Sequence, residues 1–131
     1  MIVIDASALA AFFLREEGWE KLVKYMKNTI SSDLILKEFY SVLYKAVYFK
    51  RISIDEANTI IETFKSYSKF NMKLIQEDVY LDEAFKISLN YNVPIYDSLY
   101  IALALKENKP LLTLDKKQAE VAKELKIIVY A

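Results

Sequence analysis

Two residue types on which many enzymes depend are missing: none of the 131 residues is cysteine or histidine. The absence of cysteine excludes disulfides and thiolate metal sites, and it fits a reducing compartment. The absence of histidine excludes Ser-His-Asp and Cys-His catalysis and histidine general bases, and it leaves zinc without its preferred ligands. If the chain is an enzyme, we expect carboxylates to carry its chemistry.

Long hydrophobic runs and an excess of one charge are also absent. The apolar start ends at Asp5 and charged residues follow from Arg15, so no signal peptide or membrane span is readable and we expect a cytoplasmic protein without a membrane partner. The 18 basic and 18 acidic residues cancel, so net charge identifies no partner. A hydrophobic content of 54% is ample for one domain spanning residues 1–131.

Short apolar runs alternate with longer helical patterns, which predicts an α/β fold with a mainly parallel central β-sheet flanked by α-helices. Strands are predicted near residues 1–4, 29–32, 71–75, 93–96, 110–114 and 126–130. One helix is predicted from Asp33 to about Lys50, and a second from a capping box that begins at Ser53 to Phe70. We expect these helices to pair antiparallel and to expose aromatic residues: Tyr44, Tyr48, Phe64 and Tyr67.

Three aspartates each follow a short apolar run that is predicted to be a strand. These are Asp5 after the first strand, Asp97 after VPIY and Asp115 after LLTL. Because the carboxyl ends of parallel strands share one edge of a sheet, we expect the three to converge. Glu38 borders the apolar stripe of its helix and is the fourth candidate. The alternative is that the aspartates are helix N-caps and the glutamate is an ordinary surface residue.

Four clustered carboxylates would raise one another's pKa, and a bound divalent cation removes that cost. All-oxygen ligation favours Mg²⁺ or Mn²⁺, and the implied chemistry is metal-assisted phosphodiester hydrolysis. Ser7 and Thr113 lie two residues from acidic candidates, where each can bond a metal ligand, a metal-bound water or a substrate phosphate. Both are equally suited to capping the local backbone.

Four segments together resemble a known family: IDASALAAFFLREEG, LILKEFYSVLYKA, VPIYDSLYIALA and LLTLDKKQA. The chain resembles a PIN domain, specifically the toxin ribonucleases of the VapC type, over nearly its whole length. The resemblance implies a single PIN domain at residues 1–131 that is a metal-dependent ribonuclease using Mg²⁺ or Mn²⁺. The catalytic and metal-binding residues that it implies are Asp5, Glu38, Asp97 and Asp115.

The resemblance also implies partners: an RNA substrate, a VapB-like antitoxin and a second copy of the chain in a homodimer. One position departs from the family, because relatives often carry Asn three residues after the motif-two glutamate and this chain has Ser41. Several basic residues are candidate phosphate contacts: Arg15, Lys37, Lys45, Lys50, Arg51, Lys116 and Lys117. The competing hypothesis is a non-catalytic α/β interaction module whose acids are helix caps.

Overall fold

Five short apolar segments form one sheet in a computed structural model that describes residues 1–131. The strands are β1 (Ile2–Ile4), β2 (Thr29–Ser32), β3 (Met72–Ile75), β4 (Leu111–Leu112) and β5 (Val129–Tyr130). The helices are α1 (Ala6–Phe13), α2 (Leu34–Tyr48), α3 (Ile54–Asn71), α4 (Leu81–Tyr91), α5 (Ile95–Glu107) and α6 (Lys116–Glu124), with short 3-10 helices at Trp19–Tyr25 and Glu77–Tyr80. The predicted α/β class is confirmed.

The sheet is parallel throughout and has the strand order β3-β2-β1-β4-β5. Val3 of the central strand lies beside Ile30 of β2 on one side and Leu111 of β4 on the other. All of β1 is buried, as expected for a parallel strand at the centre of a sheet. The chain runs outward from β1 to β3 and then crosses back to β4. The strand order therefore reverses between β1 and β4, where open α/β sheets form their ligand crevice.

Helices α2 and α3 match the sequence prediction closely. The capping box at the start of α3 is present, with Ser53 and Glu56 each accepting a hydrogen bond from the other's backbone N–H at 3.0 Å. Phe64 corrects one expectation, because it is buried rather than exposed and its ring lies 4.3 Å from that of Phe39 on α2. This ring attaches α3 to α2 and to the core. Tyr44 remains exposed, as predicted.

The strand predicted near residues 93–96 is wrong, because this segment is the start of α5. Pro94 immediately precedes the helix with φ −58°, and the N–H of Ser98 donates to the Pro94 carbonyl at 3.0 Å. Proline favours the beginning of a helix because its φ is already close to the helical value. Residues 98–104 are buried without a break, so α5 shows no amphipathic period and its apolar start resembles a strand. No helix is long and apolar enough to cross a membrane.

Candidate active site

Asp5 lies directly after β1, and its carboxylate is buried. Its Oδ1 accepts the Ala8 backbone N–H at 3.0 Å and the Ser7 hydroxyl at 2.7 Å, so Asp5 is the N-cap of α1. Its Oδ2 accepts the Thr113 hydroxyl at 2.5 Å. The capping role is therefore correct for Asp5, but its second oxygen is bonded to the segment that follows β4.

The segment after β4 is tied to the start of α1 by two hydroxyl groups. The Ser7 Oγ accepts the Leu114 N–H at 2.9 Å, and the Thr113 Oγ1 accepts the Asp115 N–H at 3.0 Å. Asp115 in turn caps α6 by accepting the Gln118 N–H at 2.8 Å on Oδ1. These bonds hold the carboxyl ends of β1 and β4 together, so the two aspartates from these ends share one neighbourhood.

Glu38 is half-buried on α2 and is held by a residue of another helix. The hydroxyl of Tyr100 on α5 donates a short hydrogen bond to its Oε1. Burial raises the pKa of Glu38, the bond from Tyr100 opposes that rise, and the charge of Asp97 adds to it. The ring of Tyr100 is itself buried. Glu38 is therefore fixed by a rigid donor rather than free in solvent.

Asp97 lies in the first turn of α5 and not at the end of a strand, so its predicted location is corrected. It is not the N-cap, which is Pro94. A carboxylate in the first turn of a helix is favoured by the positive end of the helix dipole. Burial raises the pKa of Asp97, and the charge of Asp115 raises it further. Asp97 therefore faces the same acidic neighbourhood, which it reaches from a helix terminus.

The charges of the four acids act on one another in pairs. Burial raises the pKa of Asp5 to about 6, three hydrogen bonds oppose that rise, and the charge of Asp115 adds to it. Asp115 also acts on Asp97, and Asp97 acts on Glu38. The ion pairs of the chain are Lys65–Glu62 and Lys106–Glu83, neither of which includes these acids. None of the four acids therefore forms an ion pair with a basic side chain.

The donor chemistry of the set fits a hard divalent cation, because it offers carboxylate and hydroxyl oxygens and no nitrogen or sulfur. The side-chain positions do not by themselves form a ligand cage, since no three acids stand close enough together to hold one metal ion. Two of the acids are turned toward helix N–H donors instead.

Tyr100 is the residue of this site that sequence reasoning missed. It follows Asp97 by three positions on the same helix, and residues with this spacing lie on one helical face. The spacing was visible in the sequence, but an aromatic residue inside an apolar helix usually belongs to the core. Only the packing of α5 beside α2 reveals that its hydroxyl is directed at Glu38.

Comparison with known proteins identifies the family to which this fold belongs. The family model described as PIN domain matches residues 2–124. The chain therefore belongs to the PIN-domain family, and the resemblance drawn from its four acidic segments is confirmed.

Within the family, the chain is similar to proteins of the VapC type. It is 34% identical over 122 residues to Ribonuclease VapC3 of Pyrobaculum aerophilum, a match that covers 91% of this chain and 92% of the relative. Its fold is similar to the crystal structure of PAE2754 from the same organism, with a TM-score of 0.75, 22% identity and coverage of 98% of this chain and 82% of the other. It is also similar to a chain of a toxin-antitoxin complex from Klebsiella pneumoniae, with a TM-score of 0.64, 15% identity and coverage of 90% and 89%.

Proposed function

We propose that this protein is a metal-dependent endoribonuclease and the toxin of a VapBC-type toxin–antitoxin pair. The observation that carries the proposal is the acidic set Asp5, Glu38, Asp97 and Asp115, whose charges act on one another without a basic partner. The likeness to Ribonuclease VapC3 supports RNA as the substrate. The four acids are proposed as both the catalytic and the metal-binding residues.

The proposed cofactor is Mg²⁺ or Mn²⁺. When bound, such an ion lowers the pKa of a coordinated water and offsets charge on the phosphate. Asp115 and Asp97 would hold it through carboxylate oxygens that are not used in helix capping, and Asp5 would hold it from the buried side. Glu38, positioned by Tyr100, would complete the set from α2.

Ser7 and Thr113 are proposed as positioning residues. Both hydroxyls hydrogen-bond the Asp5 carboxylate, one on each oxygen. Each also accepts a backbone N–H from the segment after β4. Their role would be to fix the orientation of Asp5 and to hold it beside Asp115, since supporting hydrogen bonds orient metal ligands.

The charge of Asp97 provides the main test. Asp97→Asn keeps the size of the side chain and removes its charge, so we expect RNA cleavage to be abolished and the affinity for Mn²⁺ to fall, with little change in the free energy of unfolding. Cleavage of a mixture of structured RNAs is measured by gel with Mn²⁺ and with a chelator, and Mn²⁺ affinity is measured by calorimetry. Asp82→Asn is the matched control, because Asp82 is an exposed aspartate in the first turn of α4.

The outcomes separate this proposal from a non-catalytic interaction module. A module whose acids only cap helices predicts that Asp97→Asn and Asp82→Asn leave Mn²⁺ affinity equally unchanged. If the unmodified protein cleaves no RNA in the presence of Mn²⁺, the proposed activity is rejected. Cleavage that persists in Asp97→Asn would reject the assignment of this residue while keeping the activity.

The proposed partners follow from the same family membership. The likeness to a chain of a toxin-antitoxin complex supports a VapB-like antitoxin, and a homodimer is proposed with it. Exposed apolar side chains suitable for such contacts are present on α4, where Phe85 is 59% and Leu89 69% exposed. Light scattering measures the oligomeric state, and co-expression with a short neighbouring reading frame tests the antitoxin.

A further inference from the structure

A cavity of 390 Å³ adjoins the acidic set on the side of α1 and α2. Ser7 and Glu38 line one part of it, and Lys45 lines it as well. Its α1 wall carries Ala6 and Ala10, whose short side chains leave open space between the two helices. The cavity therefore meets the proposed cleavage site at Ser7 and Glu38, and polar groups on α2 line it further along.

The α2 wall of the cavity is one continuous helical face. Glu38, Ser41 and Lys45 lie at positions i, i+3 and i+7, which point in nearly the same direction. At 1.5 Å per residue, Lys45 is about 10 Å along the helix axis from Glu38. The face therefore presents an acid at the site, a hydroxyl beyond it and a cation further along.

Lys45 is the single basic residue among those that line this cavity, and it is exposed and forms no ion pair. The other charged residues that line the cavity, Glu16 and Glu38, are both acidic. Without Lys45, a polyanion entering the cavity would meet only negative side chains. Lys45 is thus the residue of this wall that can attract a phosphate group.

We propose that this cavity receives the nucleotide next to the scissile phosphate, and that Lys45, assisted by the Ser41 hydroxyl, binds the neighbouring backbone phosphate of the RNA. The inference rests on the proposed ribonuclease function and extends it to a specific substrate-positioning residue. An RNA strand whose scissile phosphate lies beside Glu38 extends away from the site with its neighbouring nucleotides. The cavity offers it space, a hydroxyl donor and one cation in that order.

The test is the steady-state cleavage of an RNA substrate by the full chain with Mn²⁺ at several salt concentrations. Lys45→Gln is expected to raise KM about fivefold at low salt and to leave kcat nearly unchanged, because an exposed charge contact contributes modest binding energy. One lost phosphate contact should reduce the slope of log(1/KM) against log salt by about 0.7. The ratio of the KM of Lys45→Gln to that of the unmodified protein should therefore fall about 2.5-fold between roughly 50 and 200 mM salt.

Two further variants make the result specific. Lys45→Arg keeps the charge and should restore KM, whereas Lys86→Gln removes an exposed charge from α4, away from the cavity, and should change neither KM nor the slope. If Lys45→Gln matches Lys86→Gln while the unmodified protein cleaves RNA, the inference is overturned and the proposed function stands. If the unmodified protein cleaves no RNA, both are overturned.

Discussion

Buried Asp5 should contribute less to the stability of the metal-free protein at neutral pH than at acidic pH. Its pKa rises from the ordinary 3.8 to about 6, chiefly because burial disfavours its charged form. The folded state therefore binds the proton more tightly than the unfolded chain does. The contribution of protonated Asp5 to the free energy of unfolding is present in full below pH 3.8, and it is lost as the pH rises through about 6.

The magnitude follows from the difference between the two pKa values. At about 1.4 kcal/mol for each pH unit, ionised Asp5 costs the folded state about 3 kcal/mol at pH 7. Asp5→Asn removes this charge and keeps an oxygen that can cap α1. It also replaces the oxygen that accepts the Thr113 hydroxyl with an NH2 group, which cannot accept that hydrogen bond and costs about 1 kcal/mol. We therefore expect Asp5→Asn to raise the free energy of unfolding at pH 7 by about 2 kcal/mol.

The assay is urea unfolding in the presence of a chelator, at a series of pH values from below 3.8 to above 6. The excess of the free energy of unfolding of Asp5→Asn over that of the unmodified protein should grow across that pH range and then level off. Asp78→Asn, at an exposed position, is the control and should show no such growth. If Asp5→Asn is no more stable than the unmodified protein at pH 7, the buried carboxylate of Asp5 does not destabilise the folded state. The hypothesis that a cation is needed to offset this charge would then be refuted.

Two further predictions concern the helix contacts around the site. Tyr100→Phe removes the hydroxyl that donates to Glu38, so it should cost about 1 kcal/mol of stability. The same change should raise the pKa of Glu38 and move the acid limb of the pH–rate profile to higher pH; an unchanged profile would show that the bond does not tune Glu38. Phe64→Ala should cost about 3 to 5 kcal/mol in urea unfolding because the ring is buried against α2. Phe70→Ala, with a 74% exposed ring, should cost about 0.5 kcal/mol or less, and equal losses would contradict the packing of α3.

Local patterns in the sequence predicted most of the elements. The strand β2, the boundaries of α2 and α3 and the capping box at Ser53 all follow from short-range signals: apolar periodicity and side chains that satisfy nearby N–H groups. These signals fail for α5, whose residues are buried on nearly every side. A helix without a polar face has no readable period, so its start at Ile95 was predicted as a strand.

The two alternatives for the acids do not exclude each other. Asp5 and Asp115 are helix N-caps, and they also lie beside each other at the ends of β1 and β4. A carboxylate has two oxygens, so capping with one leaves the other for a second contact. Asp97 is in a first turn without capping it. Helix capping and membership in one acidic set are therefore compatible for these residues.

The sequence alone determined the set of acids from which the site is proposed and the family that the chain resembles, because residue types and local spacing can be read from it directly. Tertiary structure alone decided the raised pKa of Asp5, the bond from Tyr100 to Glu38 and the cavity that Lys45 lines. Each of these depends on contact between segments that are far apart in the chain. Burial and distance between such segments arise only when the sheet and helices pack, so no local pattern encodes them.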